Sequence, residues 1–227
     1  MSKQSDLVSV SQGSGGDPLY IDTTNDRVGV GTTSPTRQLE VSKAGTSYIR
    51  AADTTNSVNV DLLAASSGGW VGTQSNHPFL LQTNNTERMR IDNAGRVTMP
   101  YQPAFEGNGS GQSITSAAYT VLTFNSTLNR GSHFNGTSFT VPVSGVYEFH
   151  GRMEWNGSQP DTGSLYLAVN GSTAFQFLEY ASGYYNGPNF SILLYLSAND
   201  YVQLWTFGNN YGFGTTYSNR FGGYLIG

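Results

Sequence analysis

The residues best suited to catalysis lie on one stretch, GVYEFHGRMEW (145–155), which holds Glu148, His150 and Glu154. Two carboxylates flanking a sugar linkage can hydrolyse it, one acting as acid and the other as base or nucleophile. Alternation here predicts a β-strand with Val146, Glu148 and His150 on one face and Tyr147 and Phe149 on the other. Six positions separate the glutamates, which on an extended strand puts their backbones about 20 Å apart, too far for such a pair. His150 neighbours Glu148, but no serine sits in a recognisable nucleophile motif. Asp161 falls in a turn, where a carboxylate satisfies backbone amides. His77 and His133 are isolated, and the absence of cysteine removes every thiolate site, so no metal-ligand set is expected. A further candidate is RVGVGTTSP (27–35), whose Gly29 and Gly31 open like a dinucleotide-binding fingerprint. Its third glycine is replaced by Ser34, and Pro35 disfavours the helix whose N-terminus would hold the phosphates. A strand and a turn are predicted there, and the chain is expected to be no enzyme and to hold no cofactor.

The elements that position these residues follow from composition. Only 11% of the 227 residues are charged, 13% are aromatic and 28 are glycine, a balance that favours strands joined by tight turns and an all-β fold. The net charge is −4, and residues 101–227 carry only Arg130, Arg152 and Arg220 as strong cations, which argues against a nucleic-acid partner. No apolar run approaches the ~20 residues that span a bilayer, so membrane insertion is not expected. The start of the chain, MSKQSDLVSVSQGSGG, lacks the apolar core of a secretory signal. The expected product is made in a cytoplasm, and release by lysis inside an assembled virion is one route out of the cell.

Three segments are distinguished. Residues 1–16 contain one short alternation, Leu7-Val8-Ser9-Val10, ahead of a Gly/Ser linker. Leu7, Val8 and Val10 are the candidate anchor, suited to adding a strand to a partner's sheet edge. Residues 17–100 contain an echo: YIDTTNDRVGV (20–30) and RIDNAGRVTMP (90–100) each read as strand, polar turn and Arg-Val strand, as related hairpins do. The pieces between them, RQLEV, TSYIRAA, SVNVDLL, PFLLQT and TERMRI, are short strand candidates without helical period. So thin a segment buries little apolar surface against a backbone-entropy cost of roughly 1–2 kcal/mol per residue. Wrapping three copies about one axis supplies the missing core, which predicts a trimeric β stalk.

VGVGTTSP (28–35) and TNNTERMRIDNAGRV (83–97) closely resemble a modular segment of bacteriophage fibre proteins, particularly those of marine and cyanobacterial phages. In those fibres a TNGTERMRID-type piece, a short turn and VGIGTTSP follow one another, whereas here the two pieces are separated and reversed in order. The resemblance spans most of residues 17–100 and implies a fibre stalk in a virion, with another virion protein as partner of the amino-terminal segment.

Residues 101–227 are richer in aromatics. TVLTF, SFTVPV, GVYEFHGRMEW, GSLYLAVNG, FQFLEY, FSILLYLSA, DYVQLWTFG and RFGGYLIG give eight strand candidates separated by Gly/Asn turns, which predicts a jelly-roll sandwich head. Phe139 before a proline-containing turn, SGVYEF with Gly145, Tyr147 and Phe149, the Val169-Asn170-Gly171 turn, LSANDYVQL with Asp200 and Val202, and the closing FGGYLIG resemble the globular head of complement component 1q and related tumour-necrosis-factor-like trimers. The resemblance covers residues from about 103 to 227 and implies a homotrimer. Asn199-Asp200 departs from the family's usual Gly-Asp, and no carboxylate cluster matches that family's occasional calcium site.

Two aromatic stretches, EYASGYYNGPNF (179–190) and LWTFGNNYGFGTTYSNRF (204–221), have the composition of adaptable recognition loops. Trp205, Phe207 and Phe221, on predicted strands, are assigned to the sandwich and the three-fold interface. Tyr184, Tyr185, Tyr211 and Tyr217, near turns, are the candidate receptor-binding residues. The expected function is a trimeric phage tail fibre whose head binds a host-surface glycan or protein. The alternative is a capsid-attached head fibre or decoration protein that stabilises the shell or adheres weakly.

Overall fold

The computed structural model describes residues 19–114, 118–156, 162–181, 186–208, 211–213 and 219–227, and among them every regular element is a strand. No described helix is long and apolar enough to cross a membrane. The chain divides into two compact units, Met1–Thr98 and Met99–Gly227.

The first unit contains three separate three-stranded sheets. In the first, β1 (Leu19–Asp22) pairs antiparallel with β2 (Arg27–Val30), and β3 (Leu39–Val41) lies parallel to β2. The Asp22 carboxylate closes the β1–β2 turn by accepting from the amides of Thr24 and Asn25 at 3.0 and 3.1 Å. RVGVGTTSP is therefore β2 and the return loop to β3. The eight residues 31–38 suffice for this parallel crossover because the strands are only three and four residues long. Gly31 takes φ 75°, and a Cβ there would strike the Ser42 carbonyl, so the first step of the return requires glycine. Arg27 Nη1 donates to the Pro35 carbonyl at 2.8 Å and ties down the far end.

The second sheet joins β4 (Ser47–Asp53), β5 (Val58–Ala65) and β6 (Gly68–Thr73); the third joins β7 (Phe79–Thr83), β8 (Thr86–Ile91) and β9 (Val97–Thr98). The β4–β5 turn repeats the β1–β2 turn. Both begin Asp-Thr-Thr-Asn, and Asp53 accepts from the amides of Thr55 and Asn56 at 2.9 and 3.2 Å as Asp22 does from its own turn. Side-chain hydrogen bonds from Asn25 and Asn56 lead the interactions that hold these two aspartates below the usual carboxylate range. Inside the second sheet, Arg50 grips Asp61 with two 2.7 Å bonds, and Asp61 is buried. Between residues 19 and 98 the buried residues are Gly29, Pro35 and Asp61, none of them a hydrophobic side chain.

The second unit is a two-sheet sandwich. Its strands are β10 (Ala104–Gly109), β11 (Gln112–Ile114), β12 (Ala118–Val121), β13 (Phe124–Arg130), β14 (Ser138–Thr140), β15 (Gly145–Asn156), β16 (Thr162–Val169), β17 (Ser172–Ala181), β18 (Asn186–Leu196), β19 (Tyr201–Gly208), β20 (Tyr211–Phe213) and β21 (Arg220–Leu225). The front sheet runs β11-β20-β15-β21-β10-β13, with β18 on the other edge of β15. The back sheet runs β12-β19-β16-β17, with β14 also on β19. Between them lie Phe105, Phe124, Phe134, Phe139, Tyr147, Phe149 and Phe221 with Leu122, Leu165, Leu167, Val202 and Leu204. Phe105 stacks on Phe139 at 4.6 Å and meets Phe221 edge-on at 5.0 Å. Gly223 permits this packing, because a Cβ there would lie 2.7 Å from the Glu148 carbonyl oxygen and 2.8 Å from the Phe149 ring.

The predicted strand TVLTF needs correction, and AFEGNG is a strand that the sequence candidates did not include. TVLTF is not one strand but the passage from β12 in the back sheet to β13 in the front sheet, with Leu122 buried at the corner. Gln112 braces the corner by accepting from the Thr123 amide at 3.1 Å and donating to the Val121 carbonyl at 2.9 Å. AFEGNG is β10, and its inward positions Phe105, Gly107 and Gly109 are buried in strict alternation.

Candidate functional site

Of the residues with catalytic chemistry, Glu148 is occupied. Its carboxylate accepts from the Tyr224 hydroxyl at 2.5 Å and from Ser191 Oγ at 3.0 Å. The Tyr224 bond, then the Ser191 bond, hold it below the ordinary glutamate range, the reverse of what a general acid needs. Tyr224 is correspondingly raised. Near Glu154 the chain is fixed by its backbone amide donating to Asn219 Oδ1 at 2.5 Å. His77 Nδ1 meets Ser75 Oγ at 3.0 Å, and His133 lies edge-on to Phe139 with ring centroids 6.4 Å apart. Asp161 lies outside the described residues. Among the described residues no group of three His, Asp or Glu side chains could hold a metal ion.

Of the candidate receptor residues, Tyr184, Tyr185 and Tyr217 lie outside the described residues, as do Leu7, Val8 and Val10 of the candidate anchor. Tyr211 opens β20, where it pairs with Ile114 of β11. The described structure therefore neither gathers these residues nor separates them.

What it does define is two outer faces on the sandwich. On the front sheet, Val146, Glu148 and His150 alternate outward from β15 opposite Tyr195, Leu193 and Ser191 of β18. Tyr224 stands opposite Glu148 on β21. Leu193 is 59% exposed and Tyr195 72%, so this face joins apolar side chains to a hydrogen-bonded polar centre. On the back sheet, burial along β19 alternates so that Val202, Leu204 and Thr206 point inward and Gln203, Trp205 and Phe207 outward. Phe221 fills the sandwich as expected, but Trp205 and Phe207 do not. Leu165 and Leu167 of β16 already occupy the interior opposite β19. Tyr119 and Tyr166, which sequence reasoning did not single out, join them on the outer face. The available signal was the strict alternation of YVQLWTFG, which puts Trp205 and Phe207 on the same side as Gln203.

Two antiparallel sheets closed over an aromatic core define a jelly-roll sandwich. Residues 104–226 match the C1q domain family, more than half of the 227 residues, and the chain belongs to that family. Domains of this kind typically form trimers and mediate binding, and are generally non-enzymatic. Among solved structures, that of murine APRIL at pH 8.0 is similar at 16% identity and a TM-score of 0.45, covering 55% of this chain and 99% of that one. The globular domain of zebrafish complement 1qA protein is similar at 20% identity and a TM-score of 0.42, covering 56% and 98%. Eiger TNF from S. frugiperda is similar at 16% identity and a TM-score of 0.42, covering 56% and 93%. No curated protein matches the sequence.

The departure at Asn199-Asp200 has a local cause. Asn199 takes φ 74°, where glycine is the customary residue and asparagine the best-tolerated substitute. Asp200 accepts from the Ser197 amide and from Asn170 Nδ2, each at 2.8 Å, and so links two turns. The Asn170 bond leads the interactions that lower its pKa.

Proposed function

We propose that this protein is a homotrimeric phage fibre. In it, residues 1–16 dock on another virion protein, residues 17–100 form a trimeric β stalk, and residues 101–227 form a head that binds a host-surface glycan or protein. The observation that carries the trimer is the contrast between the two units. Every described buried hydrophobic side chain lies between Phe105 and Phe221, while Ile21, Leu39, Tyr48, Leu62, Trp70 and Val71 are exposed on the sheets of the first unit. Isolated three-stranded sheets that bury no large hydrophobic side chain are marginal in water, and copies of the same sheets are the economical cover. The outward face around Leu193, Tyr195 and Tyr224 supplies the corresponding contact in the head. The phage assignment is supported by VGVGTTSP and TERMRID, and residence in a virion by the same resemblance.

Deleting residues 1–16 is expected to leave soluble trimers that are absent from purified particles; normal incorporation of the shortened chain contradicts the anchor. For the receptor, Tyr184, Tyr185, Tyr211 and Tyr217 are expected to contribute three equivalent weak sites per trimer that gain strength through multivalency. Replacing all four by serine should abolish adsorption of purified trimer to host cells while leaving the trimer folded. Wild-type protein that never adsorbs, or a quadruple variant that adsorbs as well, contradicts the receptor role and leaves capsid decoration in its place.

A further inference from the structure

Tyr119 clusters with three other aromatic rings on the outer face of the back sheet. Its ring centroid is 5.3 Å from Phe207, 5.9 Å from Trp205 and 5.3 Å from Tyr166. Strand register produces the cluster. Tyr119 faces Phe207 and Val121 faces Trp205 across β12 and β19, while Tyr166 faces Trp205 across β16 and β19. Tyr119 is 53% exposed, and the three rings beside it are half-buried. An amide is held at the edge: Trp205 Nε1 donates to Gln203 Oε1 at 3.0 Å, and Gln203 Nε2 donates to Ser138 Oγ at 2.7 Å. Gln176 of β17 stands across from Tyr166 and adds a second amide.

Charge decides which ligand this surface suits. Strands β12, β14, β16 and β19 contain no charged residue, and β17, which supplies Gln176, contains one, the acidic Glu179 in register with Ser164. An anionic ligand would find no counter-charge on the strands of this sheet. A pyranose ring presents a face of C–H bonds that lies well on an aromatic ring, and its hydroxyls match side-chain amides. The rings also stand on paired strands, where a site is held more rigidly than on loops.

Resting on the receptor-binding role proposed above, we propose that Tyr119, backed by Trp205 and Phe207, is a stacking platform for an uncharged pyranose of a surface glycan, with the Gln203 and Gln176 amides binding its hydroxyls. The test uses the full chain and the methyl glycosides of glucose, galactose, mannose and N-acetylglucosamine, followed by saturation-transfer NMR. At least one glycoside should show transfer, with binding at least tenfold weaker in Tyr119→Ala. Gln203→Leu, which keeps the bulk of the residue and removes the amide, should weaken it as well. Methyl glucuronide, which is charged, should show no transfer. The platform is overturned if no neutral glycoside binds, if both variants bind like wild type, or if Tyr119→Ala lowers the oligomer mass, which would make a second copy the occupant. Host-cell adsorption lost in the four-tyrosine variant but kept in Tyr119→Ala overturns the platform and leaves the receptor role standing. Wild-type protein that binds a neutral glycoside through Tyr119 yet never adsorbs to cells supports the platform and defeats the receptor role.

Discussion

The double variant Leu193→Asp/Tyr195→Asp is expected to convert the trimer into single chains. Both residues project from β18 beside the Glu148 carboxylate, with Leu193 directly opposite Glu148 and Tyr195 opposite Val146. In the proposed trimer this face is covered by copies. Glu148 tolerates cover because Tyr224 and Ser191 both donate to it. Two added carboxylates per chain would have no such donors. Placing an unpaired charge in a covered interface costs several kcal/mol, and here it recurs in every copy. Mass in solution should fall from three chains to one, with the head still folded because both side chains project away from the sandwich core. A double variant that keeps the wild-type mass would show that β18 is not at the interface.

Tyr147→Ala should cost the head about 3–5 kcal/mol, the range for emptying a buried aromatic site. Tyr147 is fully buried, its ring centroid 5.8 Å from Phe139 and 6.3 Å from Phe149, and its hydroxyl donates to the Val143 carbonyl at 2.7 Å. Domains are stable by only about 5–15 kcal/mol, so this loss approaches the whole margin. Tyr147→Phe keeps the ring and gives up the hydrogen bond, for a loss of about 1 kcal/mol. Denaturant midpoints of the two variants check the pair of values. Equal losses would mean that the hydroxyl, and not the ring, carries the stability.

The sandwich was legible where alternation and burial agree. In GVYEFHG the inward Tyr147 and Phe149 are also the largest apolar residues, so period and hydrophobicity point to the same face. In YVQLWTFG they conflict. Trp205 and Phe207 are the most hydrophobic residues of that strand, yet the interior there takes Val202, Leu204 and Thr206. Which face turns inward is settled by β16 and β12 on either side of β19, pairings that a single strand does not encode. β10 was hidden for a related reason: Gly107 and Gly109 weaken a strand in isolation, but a Cβ at Gly107 would lie 2.8 Å from the Phe124 Cβ and 3.1 Å from the Phe134 ring, so the packed sandwich calls for glycine there. The Asp-Thr-Thr-Asn turns at Asp22 and Asp53 are a repeat in the sequence, shorter than the echo of Ile-Asp and Arg-Val in the hairpins beginning at Tyr20 and Arg90. At the candidate site, turn-rich aromatic composition selected Tyr184, Tyr185, Tyr211 and Tyr217, whereas Tyr119 and Tyr166 stand in ordinary strand sequence. Their convergence on Trp205 comes from register alone.

Trimerisation underlies the proposed stalk, the proposed front-sheet interface and the proposed multivalent head, and sedimentation equilibrium of the full chain at micromolar concentration tests it most directly. A single species of three chains is the predicted result. A stable, folded monomer at that concentration would contradict it.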